Sequence, residues 1–369
     1  MRVRIFLIAA LSFVVLGIGV LLWLRKPAPR EIVPLIDVHE QPEVAVEKDL
    51  TSFDKGIRTA LADKNYGDLE TLAAQLRDPD RRFRGGASEI ARFYQIAAEV
   101  RTLPSGNPCV CTIDPTSFEE RKAQLEAWYA AVPDRITASI ALAKLWGRAA
   151  ASARGNAYAN DTAPEQWAGM HDAYSHEQKY LDEIDLNRDP VSYQEMISMG
   201  MNEGWGQRKL ANLYTKAREA FPTYYDFYGQ HAWTLQTKWG GRPGELAAYL
   251  DSLASPESGM EGQIAYAFAA DWLREDYKRP KAPDADVLSF RAINAAYQVR
   301  EQRFGLTAHD WRSLFYFSLH GGMTVSAIQA FQRMGTGWDD GIWWTRENFD
   351  ADIAWYKAHI ESLEWAKNM

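Results

Sequence analysis

The chain has 369 residues, more than one ordinary core holds, so it forms either two domains or one elongated repeat array. Apolar residues make up 47% and charged residues 24%, a balance that folds and sits far from the polar signature of disorder. The formal charge of -8 and the lack of a basic stretch interleaved with aromatics disfavour nucleic acid as a partner.

Residues 1–4 form a short tail carrying Arg2 and Arg4. Residues 5–24 follow without a charge, and at about 1.5 Å per residue a helix of that length crosses the roughly 30 Å hydrocarbon core of a bilayer. The run is longer than a secretory h-region of about 7 to 15 residues, and it exits at Arg25-Lys26-Pro27 without a small-residue cleavage pattern. An uncleaved, single-pass transmembrane signal-anchor is expected, so the membrane is a partner through residues 5–24. Arg2 and Arg4 are balanced by Arg25, Lys26 and Arg30, leaving both orientations open. The signal-like start favours a bacterial inner membrane with the soluble part periplasmic over cytoplasmic. Pro27, Pro29, Pro34 and Pro42 make residues 25–49 an extended tether.

Residues 50–369 read as one all-α domain. Leu69, Leu72, Ala73 and Leu76 recur at i, i+3, i+4 and i+7 up to Asp78-Pro79. Thr116 and Glu119 suit a capping box for a helix that Pro133 ends, and Ile136, Ile140, Ala143 and Trp146 mark the next, whose alanines permit close helix approach. Three further amphipathic segments are centred on Tyr193–Gly200, Leu210–Phe221 and Tyr224–Leu235, with Gly204 and Pro222 between them. Connections this short fold neighbouring helices back antiparallel. Pro190 and Pro222 are 32 positions apart, close to the 34-residue tetratricopeptide period; Tyr214, Ala217 and Pro222 match that repeat's second helix and terminal proline, whereas Gln194, Ile197, Ser198 and Met201 largely do not match its first helix. The predicted fold is therefore a TPR-like α-solenoid of antiparallel helical hairpins, preceded by one N-terminal transmembrane helix.

The stretches Ala138-Ser139-Ile140-Ala141-Leu142-Ala143-Lys144 through Gly155, and Phe221-Pro222-Thr223-Tyr224-Tyr225 through Trp239-Gly240-Gly241-Arg242-Pro243, resemble the bacterial helical family labelled domain of unknown function 4034. Arg82-Phe83 to Phe93-Tyr94, and Ala327 to Gly335 followed by Trp338, extend the resemblance over residues 50 to 365. It implies a helical fold and brings no activity with it.

No residue cluster compels a catalytic mechanism, a cofactor or a metal. Cys109 and Cys111 lie too near each other for an unstrained bridge and lack further zinc ligands. His171 and His176, with Asp172 and Glu177, are five positions apart and so point about 140° away from one another on a helix, which reads as solvated residues. His231 falls on an apolar stripe as a core histidine. Trp239-Gly240-Gly241 and His320-Gly321-Gly322 read as turns, since neither has the flanking elements of a phosphate loop or nucleophile elbow. The candidate binding patch is Trp338, Asp339, Asp340, Trp343 and Trp344, where glycines and acids interleave with tryptophans. The competing reading has these tryptophans anchoring the loop under a final helix, Phe349 to Trp365. The expected function is a membrane-anchored interaction scaffold for a protein or peptide partner, more plausibly without than with enzymatic activity. The alternative is a cell-envelope enzyme or carbohydrate-binding protein using a Trp-rich pocket.

Overall fold

Proline, glycine and short polar caps divide the chain into helices at the places where backbone hydrogen bonding has to stop. The computed structural model describes residues 43–103, 112–277, 287–335, 337–339, 341–343 and 345–361. Among these the fold is all-α, with fifteen α-helices, no strand and two isolated bridges, Arg82 with Ser88 and Thr102 with Ile113. The apolar run 5–24, Cys109 and Cys111 lie outside the described residues. The chain divides into two units, residues 1–35 and 36–369, and all described residues belong to the second.

Helices α1 (Glu43–Ala62), α2 (Tyr66–Leu76) and α3 (Glu89–Ala97) precede α4 (Pro115–Ala131) and α5 (Ile136–Arg154). α1 begins inside the stretch expected to be extended, because Pro42 is the last proline there and nothing after it breaks a helix. α4 is capped by Asp114, whose carboxylate accepts from the Thr116 amide at 3.0 Å, rather than by the predicted Thr116–Glu119 pair. The reason is Pro115, which has no amide to satisfy and fits the first helical position directly behind an aspartate.

The same Asp-Pro device opens α7 (Pro190–Asn202), which follows α6 (Pro164–Asp182). Asp189 accepts from the Val191 amide at 2.9 Å, and its buried carboxylate also receives Arg77 at 2.7 Å and the Tyr94 hydroxyl at 2.8 Å. One residue thereby caps a helix and ties it to α2 and α3. Next come α8 (Gln207–Ala220), α9 (Asp226–Thr234), α10 (Glu245–Ala254) and α11 (Gly259–Tyr277). Trp239-Gly240-Gly241 is the predicted turn, with Gly240 at φ +90°.

α12 (Phe290–Phe304) and α13 (Ala308–His320) meet at Gly305, and α13 starts on a capping box between Thr307 and Asp310. α14 (Thr324–Arg333) and α15 (Arg346–Tyr356) complete the series, with Gly322 at φ +68° in the turn between α13 and α14. A π-turn over Lys357–Glu361 follows α15, and residues 362–365 of the expected final helix lie outside the described residues.

Alternate helices form a layer of their own: α3 packs on α5, α5 on α7, α7 on α9 and α9 on α11, while α4, α6, α8 and α10 cover them. The alanines of α5 explain the close fit, since Ala138, Ala141 and Ala143 are all fully buried beside Leu142 and Leu145. Large side chains fill the rest, among them Phe93, Trp128, Phe227, Tyr297 and Phe315, each burial worth roughly 1.5–3 kcal/mol for a Phe-sized group.

A one-dimensional array touches only its neighbours. Here Arg84 and Gly85 reach more than 200 positions along the chain, and Arg82 reaches 141. The Gly85 amide donates to the Gly305 carbonyl at 3.0 Å, Arg300 donates to the Gly85 carbonyl at 2.6 Å, and Arg84 donates to the Leu306 carbonyl at 2.7 Å. Arg82 donates to the Thr223 carbonyl in the same way. Early and late helices are joined by this loop.

Candidate functional site

The layer of alternate helices turns a polar face toward two adjoining cavities of about 590 and 380 Å³, sizes that suit small ligands or parts of larger ones. The helical period explains how one sequence serves both sides. On α5, Lys144, Gly147, Arg148 and Ala151 recur at i, i+3, i+4 and i+7 and line the smaller cavity, while Ala138, Ala141, Leu142 and Leu145 face the core. On α7, Gln194, Ser198 and Asn202 make a second polar row, and α9 contributes Asp226 and Gln230 four positions apart.

Lys144, Arg148 and Gln194 line both cavities and so stand where they meet. Arg84, Arg92 and Arg154 add cationic charge against three carboxyl groups, Glu177, Glu195 and Asp226. Most of these cations are engaged. Arg92 grips Asp54 through two hydrogen bonds of 3.0 and 2.5 Å, and Lys144 pairs with Glu195 at 2.6 Å. Arg148 differs: its hydrogen bond is a long one, 3.4 Å, to the Ala98 carbonyl, and among the described residues no carboxylate pairs with it.

Two carboxyl groups here are held uncharged more readily than usual. Burial pushes the Glu177 carboxyl well above the ordinary glutamate range, the neighbouring Glu195 pushes it further, and Lys144 opposes both. Burial likewise raises Asp226 against the opposing charges of Arg82 and Lys144. Glu177 is 1% exposed, yet its Oε2 has no hydrogen-bond partner. Gln230 is 3% exposed, donates from Nε2 to the Gln194 carbonyl at 2.9 Å, and leaves its Oε1 unpartnered. Unsatisfied buried acceptors cost about 1–3 kcal/mol each, so a site that keeps two of them is poised for a ligand's donors.

Glycines make the room. A Cβ at Gly147 would stand 2.8 Å from the Glu177 Oε2, and one at Gly229 would lie 2.2 Å from the Trp272 ring. Both Glu177 and Trp272 line the smaller cavity, so each sits where a glycine admits it.

The patch predicted from tryptophans is dispersed. Trp338 is 39% exposed, whereas Trp343 is 2% exposed, set edge-on to Phe349 with ring centres 4.9 Å apart, its indole N–H donating to Asp352 at 2.9 Å. Asp339 is engaged by His309 at 2.6 Å and by the Gly341 amide at 3.0 Å. Asp340 and Trp344 lie outside the described residues. His171 pairs with Glu203 at 2.7 Å while His176 stacks on Trp146 at 4.2 Å, so the two histidines share no site. Their neighbour Glu177 is buried rather than solvated. The signal was in its register: Met170, Ala173, Tyr174, Glu177 and Leu181 form one buried stripe of α6, with a carboxyl group in an apolar row.

Among the described residues no group of three or more His, Cys, Asp or Glu side chains is arranged to hold a metal, and no helix is long and apolar enough to cross a membrane. No family model, no curated protein and no solved structure matches the chain.

Proposed function

We propose that this chain is a helical-array interaction protein that receives an anionic group in the polar cavities of its alternate-helix face. In this reading the array is a TPR-like α-solenoid of antiparallel hairpins tied across by residues 82–86, and kinship with the 4034 family is one of fold. Residues 5–24 tether it to a bacterial inner membrane with the array on the periplasmic side. The observation that carries the reading is Arg148, a half-buried cation without a carboxylate partner among the described residues, placed where both cavities meet in a chain of net charge -8. A protein otherwise repelling anions concentrates positive charge where a ligand enters.

A carboxylate reaches Arg148 equally well from an acidic side chain of a protein or peptide partner or from an acidic sugar. Calorimetric titration of the detergent-solubilised full chain with a tetraglutamate peptide and with glucuronate tests the reading. Saturable binding of at least one, weakened about tenfold by Arg148→Met, is expected for loss of one charge-assisted pair. Binding of neither acid, or binding indifferent to that substitution, refutes it. Trp272 beside Glu177 and Glu195 favours the carbohydrate source.

A further inference from the structure

We infer that the smaller cavity is a subsite for a sugar unit bearing a carboxylate, with Arg148 holding the carboxylate, Glu177 and Gln230 engaging hydroxyl groups, and Trp272 forming an apolar wall. The inference rests on the anion-receiving reading above and adds the chemical class of the ligand.

The argument starts from what the cavity lacks. Glu177 Oε2 and Gln230 Oε1 are buried polar atoms without partners, so the occupant must bring a donor to the Gln230 oxygen and a hydrogen-bonding group to the Glu177 carboxyl. A protonated Glu177 also carries one O–H that needs an acceptor, and Arg148 needs acceptors too. Hydroxyl groups donate and accept at once, and a sugar ring carries several around a small perimeter. Ser198 and Asn202 line the same cavity and add one hydroxyl and one amide to that exchange.

An acidic peptide matches less well, because its backbone donors are spaced along an extended chain at about 3.3 Å per residue, with one N–H each. The cavity of about 380 Å³ is better matched by a compact ring. Trp272 supplies what a peptide carboxylate has no use for, an apolar surface for the C–H face of a ring, and Gly229 leaves space for that indole.

Electrostatics favour the same occupant. An ionised Glu177 would repel an incoming carboxylate, but burial and then Glu195 shift it toward its uncharged form, which lessens the charge opposing Arg148. Lys144 is neutralised by Glu195 at 2.6 Å and serves mainly to hold that carboxylate in place.

The experiment is a calorimetric titration of the wild-type full chain in detergent with glucuronate, with glucose as the uncharged sugar and tetraglutamate as the acidic peptide, followed by the variants Trp272→Ala, Glu177→Leu and Glu177→Gln. Glucuronate is expected to bind saturably and at least about tenfold more tightly than glucose, the worth of one charge-assisted pair. Trp272→Ala and Glu177→Leu should each weaken it several-fold, while Glu177→Gln, which still donates and accepts, should retain it. Tetraglutamate binding without glucuronate binding overturns the sugar assignment and leaves the anion-receiving reading standing. Glucuronate binding no tighter than glucose, or unaffected by both Trp272→Ala and Glu177→Leu, also overturns it. Failure of both acids overturns both readings, and the wild-type comparison holds even where a variant does not fold.

Discussion

Gly147 and Glu177 are matched across α5 and α6: a Cβ at residue 147 would stand 2.8 Å from the glutamate Oε2, so the helix withholds a side chain where its neighbour inserts a carboxyl group. That carboxyl group is raised well above its ordinary value of 4.5 by burial first and Glu195 second. A raised folded-state pKa means that the folded chain keeps a proton the unfolded chain releases. Its contribution is therefore complete below about pH 4.5 and is lost as pH climbs toward the folded-state value, at about 1.4 kcal/mol per pH unit. Glu177→Gln, which removes the ionisation, should be more stable than wild type at pH 8 and show no such advantage at pH 4.5. Urea unfolding at the two pH values measures this; identical pH profiles for the two proteins would show that the carboxyl group is not held protonated.

Arg300 is the hub that holds residues 82–86 against the late helices. It donates to the Gly85 carbonyl at 2.6 Å, to Asp271 at 2.8 Å and to Asp310 at 2.6 Å, and its guanidinium lies 4.4 Å from the Phe268 ring centre. Replacing it by methionine keeps much of the apolar stem but takes the paired cation from the buried Asp310 carboxylate, while Asp271 keeps Arg274 at 3.1 Å. Breaking such a buried pair costs about 3–5 kcal/mol. Arg300→Met should lower stability by that amount and speed amide exchange at residues 82–86 before the core of α5 is affected. Exchange that stays slow at residues 82–86 while the whole protein weakens would assign the loss to the core instead of the tie.

The helices were legible because their signals are local. Pro190, Pro222, Gly204 and the stripes through Leu69 and Leu210 each fix a boundary or a face from a few adjacent residues. The Asp114-Pro115 cap was missed since Thr116 offered a competing N-cap two positions later, and only the proline's missing amide decides between them. The candidate site was not legible, because its members are gathered from five helices by packing. Lys144, Gln194 and Gln230 look like ordinary solvated residues until the alternate helices bring them to one face. Tryptophan density pointed elsewhere for a physical reason: Trp343 fills core volume, while Trp272, inconspicuous in its alanine-rich helix, borders the cavity. A charged residue in an apolar register, as with Glu177, was the one local trace of the site.

The two glycines of the Trp239-Gly240-Gly241 turn are required for different reasons, which ranks their substitutions. Gly240 has φ +90°, and a Cβ there would make only an ordinary contact, 3.8 Å from the Gln207 Nε2, so Gly240→Ala meets mainly the left-handed penalty of about 1–2 kcal/mol. Gly241 has no such dihedral, but a Cβ there would fall 1.8 Å from the Leu235 carbonyl oxygen, a backbone atom that cannot swing aside. Gly241→Ala should therefore cost more, about 2–4 kcal/mol, through displacement of the turn. Thermal melts of the two variants decide the order, and a Gly240→Ala variant less stable than Gly241→Ala contradicts the steric account.

His231 opposes Glu177 in its response to pH. It stacks on Tyr214 with ring centres 3.8 Å apart, meets Tyr249 edge-on at 4.9 Å, and burial pushes it down from 6.5 to about 4. Glu245 pulls it up more weakly, and Arg218 adds to the lowering. A depressed histidine is neutral in the folded chain, so its contribution is present above pH 6.5 and is lost as pH falls toward 4, by at most about 3 kcal/mol. His231→Phe keeps a flat ring between the tyrosines and takes no proton. Because Glu177 stabilises in the acid direction, the effect has to be read as a difference: the fall in unfolding free energy from pH 7 to pH 4 should be smaller in the variant than in wild type. An equal fall in both proteins would mean that the ring is protonated within the stack without penalty.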